Sequence, residues 1–123
     1  MNFSDYDDIK ALVGLYVDGC ANGDTAKLTK AFHPRAFLMG HGEKLGFKGH
    51  FPADKFIEII HQSPGMAGPN YAAKIRSIDL CGDAGVVVLE ETGFHGHDFC
   101  NYLSVSRLEG SWCITNKTYT CTD

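Results

Sequence analysis

The chain contains 123 residues, of which 44% are hydrophobic and 21% are charged, and its formal net charge is -4. This composition is typical of a soluble globular protein and excludes an intrinsically disordered chain. The negative charge argues against nucleic acid or an anionic membrane as the main partner. No apolar stretch approaches the roughly 20 residues of a membrane helix, and no export signal is recognisable at the start, so we expect a cytoplasmic protein.

Three helices are predicted in the first half of the chain. Residues 4–21 carry apolar side chains at helical spacing and acidic residues in the first turn. Asp24 is expected to cap a second, short helix, and Pro52 is well placed to open a third. The glycine-rich segment between the second and third helices favours turns or a close approach to another part of the protein.

Strands dominate the second half of the chain. Runs of strand-forming residues are separated by the turn sequences Gly82-Asp83, His95-Gly96 and Glu109-Gly110. This pattern predicts a meander of long antiparallel strands. Helices followed by strands indicate one α+β domain over residues 1–123, with the helices packed on one face of the sheet. The predicted strands are residues 36–41, 71–81, 85–94, 98–108 and 111–121.

The turns also predict which side chains share the inner face of the sheet. Two-residue turns at His95-Gly96 and Glu109-Gly110, with a three-residue turn at residues 82–84, align alternate side chains in three layers. The layers are Leu80, Val86, Val105 and Ile114, then Ile78, Val88, Leu103 and Asn116, then Arg76, Glu90, Asn101 and Thr118. Because unpaired buried polar groups cost several kcal/mol, the third layer lies either in water or in a ligand cavity. A single bulge would move half of these residues to the other face.

The candidate catalytic residues are Glu90 and His41. Glu90 in a pocket with apolar walls could act as a general base, or it could form a cross-strand ion pair with Arg76. His41, on the glycine-rich segment, could act together with Glu90, or it could be a surface histidine.

The candidate ligand-binding residues are polar groups of the same predicted face and of the first helix. Asn101 and Asn116 could hydrogen-bond a ligand carbonyl or stabilise an enolate, or they could satisfy the third helix or a buried water molecule. Tyr16 is expected in the core with its hydroxyl aimed at the cavity. Arg76 and Thr118 complete the predicted polar layer.

Neither a metal nor a cofactor is expected. The five cysteines include no CxxC pair, and we expect reduced, mostly buried thiols. The six histidines include no HExxH motif, and His95 and His97, which could ligate a metal, are better explained as a polar hairpin tip. No GxGxxG motif follows a strand and no P-loop is present, which disfavours the usual modes of nucleotide binding.

The end of the chain resembles a known family. The segment YLSVSRLEGSWCITNKTYT, from Tyr102 to Thr120, is similar to the C-terminal hairpin of the putative lumazine-binding group. That group belongs to the nuclear transport factor 2-like (NTF2-like, SnoaL-like) superfamily. Its Gly-Trp-x-Ile-x-Asn-Lys pattern is close to Gly110, Trp112, Ile114, Asn116 and Lys117, with Ser111 inserted. Gly23-Asp24, Phe32-His33-Pro34 with Ala36, and Gly82-Asp83 resemble further family segments in the same order.

The resemblance implies a fold and an assembly. The implied fold is an α+β cone, in which a curved antiparallel sheet wraps around the helices and encloses a pocket, and the implied assembly is a homodimer through the outer sheet face. For function we expect a pocket that binds a small, partly apolar organic ligand without catalysis. The alternatives are a cofactor-independent lyase or isomerase, and an interaction module with a vestigial pocket.

Overall fold

The computed structural model describes residues 3–123, with side chains described at every position of that range except 47 and 48. This range consists of three α-helices, six strands, a short 3-10 turn and connecting loops. In chain order the elements are α1 (Phe3–Asn22), α2 (Thr25–Ala31), β1 (Phe32–Gly42), the 3-10 turn (Glu43–Leu45), β2 (Phe47–Pro52), α3 (Ala53–Gln62), β3 (Ala72–Cys81), β4 (Ala84–Phe94), β5 (His97–Leu108) and β6 (Ser111–Cys121). Within the described range, no helix combines the length and apolar character needed to cross a lipid bilayer.

The strands form one curved sheet in the order β2-β1-β6-β5-β4-β3. Neighbouring strands are antiparallel except β1 and β6, which run parallel. The predicted meander of the second half is confirmed, and the helices pack on the inner, concave face, so the predicted α+β cone is confirmed as well. Strand β2 and the parallel pairing are absent from the sequence prediction, because the glycine-rich segment lacks the alternation that marks a strand.

The helices bury apolar side chains against the inner face of the sheet. The predicted apolar stripe of α1 is confirmed, and its Tyr16 and Cys20 are fully buried. Asp24 caps α2 as predicted, because its carboxylate accepts a hydrogen bond from the main-chain N–H of Lys27 at 3.2 Å. Helix α3 begins directly after Pro52, also as predicted.

The predicted register of β5 against β6 is right only next to the turn. A bulge at Thr115 inserts one extra residue into β6, so that Leu103 lies opposite Lys117 rather than opposite Asn116. The same shift places Lys117 on the inner face and turns Asn116 away from it. The prediction fails here because a one-residue shift exchanges the two faces of a strand.

The predicted registers of β4 against β5 and of β3 against β4 are also wrong. An irregularity at Gly93 shifts β4 by one residue, so that Asn101 lies opposite Leu89 instead of Glu90. Glu91 therefore points inward and Glu90 outward. The β3–β4 turn contains two residues rather than three, and β3 has its own bulge at Arg76.

The observed inner face has four tiers of side chains from β3, β4, β5 and β6. They are Leu80, Gly85, Val105 and Ile114, then Ile78, Val87, Leu103 and Lys117, then Ile75, Leu89, Asn101 and Tyr119, and lastly Ala73, Glu91, Phe99 and Cys121. The predicted gradient from apolar to polar is present, but other residues supply the polar end. Three of the four tiers hold the groups from which the candidate site is built.

Candidate functional site

A cavity lies between the polar end of the inner face, α3 and the edge of the sheet at β1 and β2. Its lining is mostly aromatic and aliphatic, with one carboxylate and one ammonium group. The lining residues are Leu38, Leu45, Phe51, Phe56, Glu91, Phe94, Phe99, Lys117 and Tyr119. The volume of the cavity is about 20 Å³. The cavity therefore holds little more than a water molecule unless side chains move.

Glu91 is the carboxylate of the cavity. It is only 2% exposed, and the Tyr71 hydroxyl donates a hydrogen bond to its Oε2 over 2.5 Å. Asn101 Nδ2 donates a second hydrogen bond to Oε1. Two donors on a buried carboxylate compensate part of the cost of removing it from water.

Lys117 is the cation of the cavity. It is 6% exposed, and its Nζ donates a hydrogen bond to the Tyr16 hydroxyl over 2.6 Å. The ring centroids of Phe56, Tyr16 and Tyr119 lie 4.7, 5.1 and 5.8 Å from Nζ. These rings stabilise a positive charge through cation–π interactions. The ion pairs of the described residues do not include one between Lys117 and Glu91.

Two buried polar atoms near these charges lack a hydrogen-bond partner among the described residues. They are the Tyr119 hydroxyl and Asn101 Oδ1. Burial raises the pKa of Tyr119, which keeps its hydroxyl protonated and able to donate. Buried polar atoms are rarely left unpaired, so these atoms are candidates to contact a ligand or an ordered water molecule.

The two tyrosines that contact the charged groups are held neutral. Burial raises the pKa of Tyr16 well above its usual value, and burial followed by the negative charge of Glu91 does the same for Tyr71. Cys20, one helical turn after Tyr16, has its pKa raised to about 12, chiefly by burial. All three groups therefore keep their protons near neutral pH.

The structure places two of the predicted ligand-binding residues at this site. Tyr16 contacts Lys117, and Asn101 contacts Glu91, so both lie inside the cone within the polar cluster. Their contact with a ligand stays a prediction.

The other predicted site residues lie outside the cavity. Arg76 and Glu90 form an ion pair of 3.3 Å on the outer face, with side chains 52% and 46% exposed. The ion-pair interpretation of Glu90 is therefore confirmed, and its predicted position in the pocket is wrong because the bulges reverse the face of β4. His41 is exposed and pairs with Glu43 over 3.4 Å, so the structure does not bring it to Glu90.

The remaining two, Asn116 and Thr118, are also directed away from the cavity. Asn116 Nδ2 donates to the main-chain oxygen of Phe37 over 3.2 Å, and Thr118 Oγ1 donates to Asn116 Oδ1 over 3.0 Å. The first of these contacts connects β6 to β1, so Asn116 is engaged by a neighbouring strand rather than by the third helix that the sequence left open as its partner. The predicted position of both residues on the inner face is wrong because of the bulge at Thr115.

Sequence reasoning missed Glu91, Lys117, Tyr71 and Tyr119. Both alternating sets of β4, the one containing Glu90 and the one containing Glu91, are apolar before the carboxylate, so periodicity cannot choose between them. Gly93 was the available signal, because a glycine within a strand often marks a bulge. Its φ of 69° confirms a backbone conformation that favours glycine. The bulge at Thr115 has no comparable signal.

Residues 4–120 match the model of the family described as "Putative lumazine-binding". The chain belongs to this putative lumazine-binding family. The match covers nearly all of the three helices and of the six-stranded sheet, and it confirms the resemblance seen in the C-terminal hairpin.

Solved structures similar to this family member share its whole fold. An NTF2-like protein of unknown function from Silicibacter pomeroyi DSS-3 is 29% identical, with a TM-score of 0.85 over 99% of this chain and 100% of that chain. A second such protein, from Methylobacillus flagellatus KT, is 25% identical, with a TM-score of 0.84 over 100% of this chain and 96% of that chain. A ketosteroid isomerase-like protein from Erwinia carotovora atroseptica SCRI1043 shares the fold at 16% identity, with a TM-score of 0.72 over 95% of each chain.

A curated relative of this family member carries an enzymatic name. The aldolase FrzH from Cladobotryum sp. is 27% identical over 119 residues, which cover 94% of this chain and 90% of that protein. The family and the fold of this chain are thus known, whereas fold alone does not define a reaction.

Proposed function

We propose that the chain binds a small, partly apolar carbonyl compound in its cavity and catalyses cofactor-independent proton transfer at the carbon next to the carbonyl, as a lyase of the aldol type. One observation carries this proposal. Glu91 and Lys117, of opposite charge, are both buried and line the same cavity without forming an ion pair with each other. Burying two charges apart from one another is costly, and such groups are more often retained where they perform chemistry.

The proposed reaction gives each polar group one role. Glu91 removes a proton from the carbon next to the carbonyl, and the electron pair of that C–H bond passes to the carbonyl oxygen, forming an enolate. The Lys117 ammonium and the unpaired Tyr119 hydroxyl donate hydrogen bonds to the enolate oxygen. The enolate carbon then bonds to a second carbonyl carbon, and the oxygen of that carbonyl takes the proton from Glu91. Retro-aldol cleavage is the same sequence in reverse.

The size and lining of the cavity define the ligand class. Seven of the nine lining residues are buried, and only Leu45 and Phe51 are partly exposed. Entry of a ligand larger than water therefore requires displacement of these two side chains at the edge of the sheet. The aromatic and aliphatic lining favours an apolar body on the ligand, with one oxygen placed between Lys117 and Tyr119.

The relationship to an aldolase supports this choice among lyases and isomerases. An aldol reaction begins with the enolate chemistry that a buried carboxylate and a buried cation could perform. The relative aligns over 119 residues, which cover 94% of this chain, so the similarity extends over nearly the whole domain and is not confined to one segment.

Deuterium exchange into acetone tests the first step of the proposal. Acetone is small, and ¹H NMR in D₂O reports the loss of its methyl protons without a second substrate. We expect the wild-type protein to exchange these protons faster than buffer alone. Glu91→Gln should lower the protein-dependent rate by at least about 100-fold, because general bases contribute on the order of 10²–10⁴ in rate.

Glu90→Gln is the matched control for this experiment. It changes the same residue type one position earlier, on the outer face, and we expect the exchange rate to stay within about twofold of wild type. Circular dichroism verifies that both variants fold. Wild-type exchange no faster than buffer, or equal losses in both variants, would contradict the proposal.

Binding without catalysis is the second candidate function. It is favoured by the hydrogen bonds that Glu91 and Lys117 already make to Tyr71, Asn101 and Tyr16, which satisfy both charges structurally. Native mass spectrometry of freshly purified protein would then detect a retained small molecule, while acetone exchange would match the buffer rate.

A further inference from the structure

Three side chains with metal-ligating atoms meet beside the cavity. His97 Nδ1 lies 3.3 Å from Asp123 Oδ2, and Cys121 Sγ lies 3.0 Å from Asp123 Oδ1. One nitrogen, one sulfur and one oxygen atom from these residues all lie within 4.8 Å of one another. None of the three residues has a role in the function proposed above.

We propose that His97, Cys121 and Asp123 form a binding site for one divalent transition-metal ion of the zinc type. No metal is expected from the sequence, because the histidines form no HExxH motif and His95 and His97 are better explained as a polar hairpin tip. The ligands come together only through the pairing of β5 with the end of β6, which makes residues more than 20 positions apart neighbours.

The spacing of the three atoms fits one metal ion. Zinc bonds of about 2.0–2.3 Å to nitrogen, oxygen and sulfur place tetrahedral ligand atoms roughly 3.5 Å apart. The distances of 3.3 Å from His97 Nδ1 to Asp123 Oδ2 and of 3.0 Å from Cys121 Sγ to Asp123 Oδ1 are close to this value. The three ligand atoms all lie within 4.8 Å of one another, so side-chain movements of up to roughly 1 Å bring them to tetrahedral spacing. A mixed nitrogen, sulfur and oxygen set favours zinc, cobalt, nickel or copper over magnesium or calcium, which prefer oxygen alone.

The backbone around the cluster is held in place by the sheet. Cys121 pairs with Phe99, which lines the cavity, and His97 pairs with Phe94 across the hairpin. The main-chain N–H of Thr122 also donates to the main-chain oxygen of Asp98 over 2.9 Å. Ligands on hydrogen-bonded strands lose little conformational freedom on binding, which favours a preformed site.

The side chain of Lys44 lies at one edge of the cluster, next to Asp123. Lys44 Nζ donates a hydrogen bond to the main-chain oxygen of Asp123 and lies 4.0 Å from its Oδ1. The Lys44 side chain is about half exposed, so it is free to move into water when a metal ion binds. Lys44 therefore competes with the metal for Asp123, and its removal should strengthen metal binding.

Titration of the whole protein with Co²⁺ tests the site. Cobalt bound to a thiolate produces a sulfur-to-metal charge-transfer band in the near ultraviolet, which reports the ligand set directly. We expect this band to saturate at one Co²⁺ per chain and to disappear when Zn²⁺ displaces the cobalt. Cys121→Ser should abolish the band, and His97→Gln should weaken Co²⁺ binding at least about tenfold.

Two further variants make the assignment specific. Cys113→Ser replaces another cysteine of the same strand and should leave the titration unchanged. Lys44→Gln should tighten Co²⁺ binding severalfold, a gain that loss of folding cannot mimic. Absence of the band in wild-type protein, persistence of the band in Cys121→Ser, or weaker binding in Lys44→Gln would overturn the proposal.

Discussion

Neutral hydrogen-bond partners surround the buried charges at the level of single residues. Tyr71 and Asn101 donate to Glu91, and Tyr16 accepts from Lys117. Because burial raises the pKa values of Tyr16 and Tyr71, these tyrosines keep their hydroxyl protons over the whole physiological range. The hydrogen bonds from Tyr71 to Glu91 and from Lys117 to Tyr16 therefore involve tyrosines that stay neutral near physiological pH.

Cys20 allows a prediction about stability at alkaline pH. Its folded-state pKa of about 12 lies above the ordinary value of 9.0, so above pH 9 the unfolded chain loses a proton that the folded protein keeps. The free energy of unfolding should be unaffected by this group below pH 9. Between pH 9 and about pH 12 it should fall by up to about 1.4 kcal/mol per pH unit.

Urea denaturation at several pH values measures this dependence. Cys20→Ser, whose hydroxyl does not ionise, should show a shallower decline than wild type. The remaining slope comes from the other groups whose pKa is raised by burial, which include Tyr16, Tyr71 and Tyr119. Cys81→Ser, at an exposed cysteine, serves as the control and should keep the wild-type slope. Identical slopes in wild type and Cys20→Ser would rule out the assigned effect.

Bulges determine the chemistry at the level of strands. Extra residues at Gly93 in β4 and at Thr115 in β6 bring Glu91 and Lys117 to the inner face. Without them the inner face would present Glu90 and Asn116, as the uninterrupted registers predict. Bulges near functional sites commonly redirect side chains in this way.

The contact between β1 and β6 gives a second prediction. A Cβ atom on Gly40 would lie 1.9 Å from the main-chain oxygen of Tyr119, so Gly40→Ala must push these strands apart. We expect the free energy of unfolding to fall by about 1–3 kcal/mol, as in other overpacked positions. Gly14→Ala in α1, where a Cβ atom meets nothing within 4 Å, should instead raise it by about 1 kcal/mol.

Chemical denaturation measures the free energy of unfolding of both variants, which we expect to fall for Gly40→Ala and to rise for Gly14→Ala. Destabilisation by both substitutions to the same extent would show that glycine replacement alone, rather than the close approach of β1 to β6, is responsible.

Arg107 connects the helical layer to the sheet at the level of the whole molecule. It lies on β5, donates to Asp5 of α1 over 2.8 Å and to Asp83 of the β3–β4 turn over 2.6 Å, and covers the ring of Trp112 at 5.0 Å. Asp5 is buried, with only 10% of its side chain exposed, so this contact balances a carboxylate that is largely removed from water. Arg107 thereby connects the start of α1 to β5 and to the β3–β4 turn.

Removal of this connection should lower thermal stability. Arg107→Gln leaves the Asp5 charge without its partner, and we expect the Tm to fall by several degrees. Arg76→Gln removes an arginine from the exposed pair with Glu90 and should change the Tm by less than about 2 °C. Differential scanning calorimetry measures both, and similar Tm values for the two variants would contradict the assigned role of Arg107.

Two expectations at this scale stay predictions. One is that residues 1–123 form one domain, and the other is a homodimer through the outer sheet face. The outer-face residues implied by the resemblance are Val87, Leu89, Tyr102, Ser104, Thr115, Lys117 and Tyr119. Of these, Tyr102 and Ser104 lie on the outer face, whereas Val87, Leu89, Lys117 and Tyr119 point inward.

The amino-acid sequence by itself determined the helices, the four-strand meander and the family. Helical spacing in α1, the cap at Asp24, the proline before α3 and the glycine turns are local signals, and each acts within a few residues of the element that it defines. These local signals do not depend on how distant parts of the chain pack against one another.

Only the tertiary structure decided which polar residues face the cavity. A single inserted residue reverses a strand, and whether a bulge forms depends on packing against strands that are distant in sequence. Glu90 and Glu91 are adjacent and chemically equivalent, yet one pairs with Arg76 at the surface and the other is buried with Tyr71 and Asn101. The fold is encoded by local patterns, whereas the site depends on register, which is a property of strand pairs.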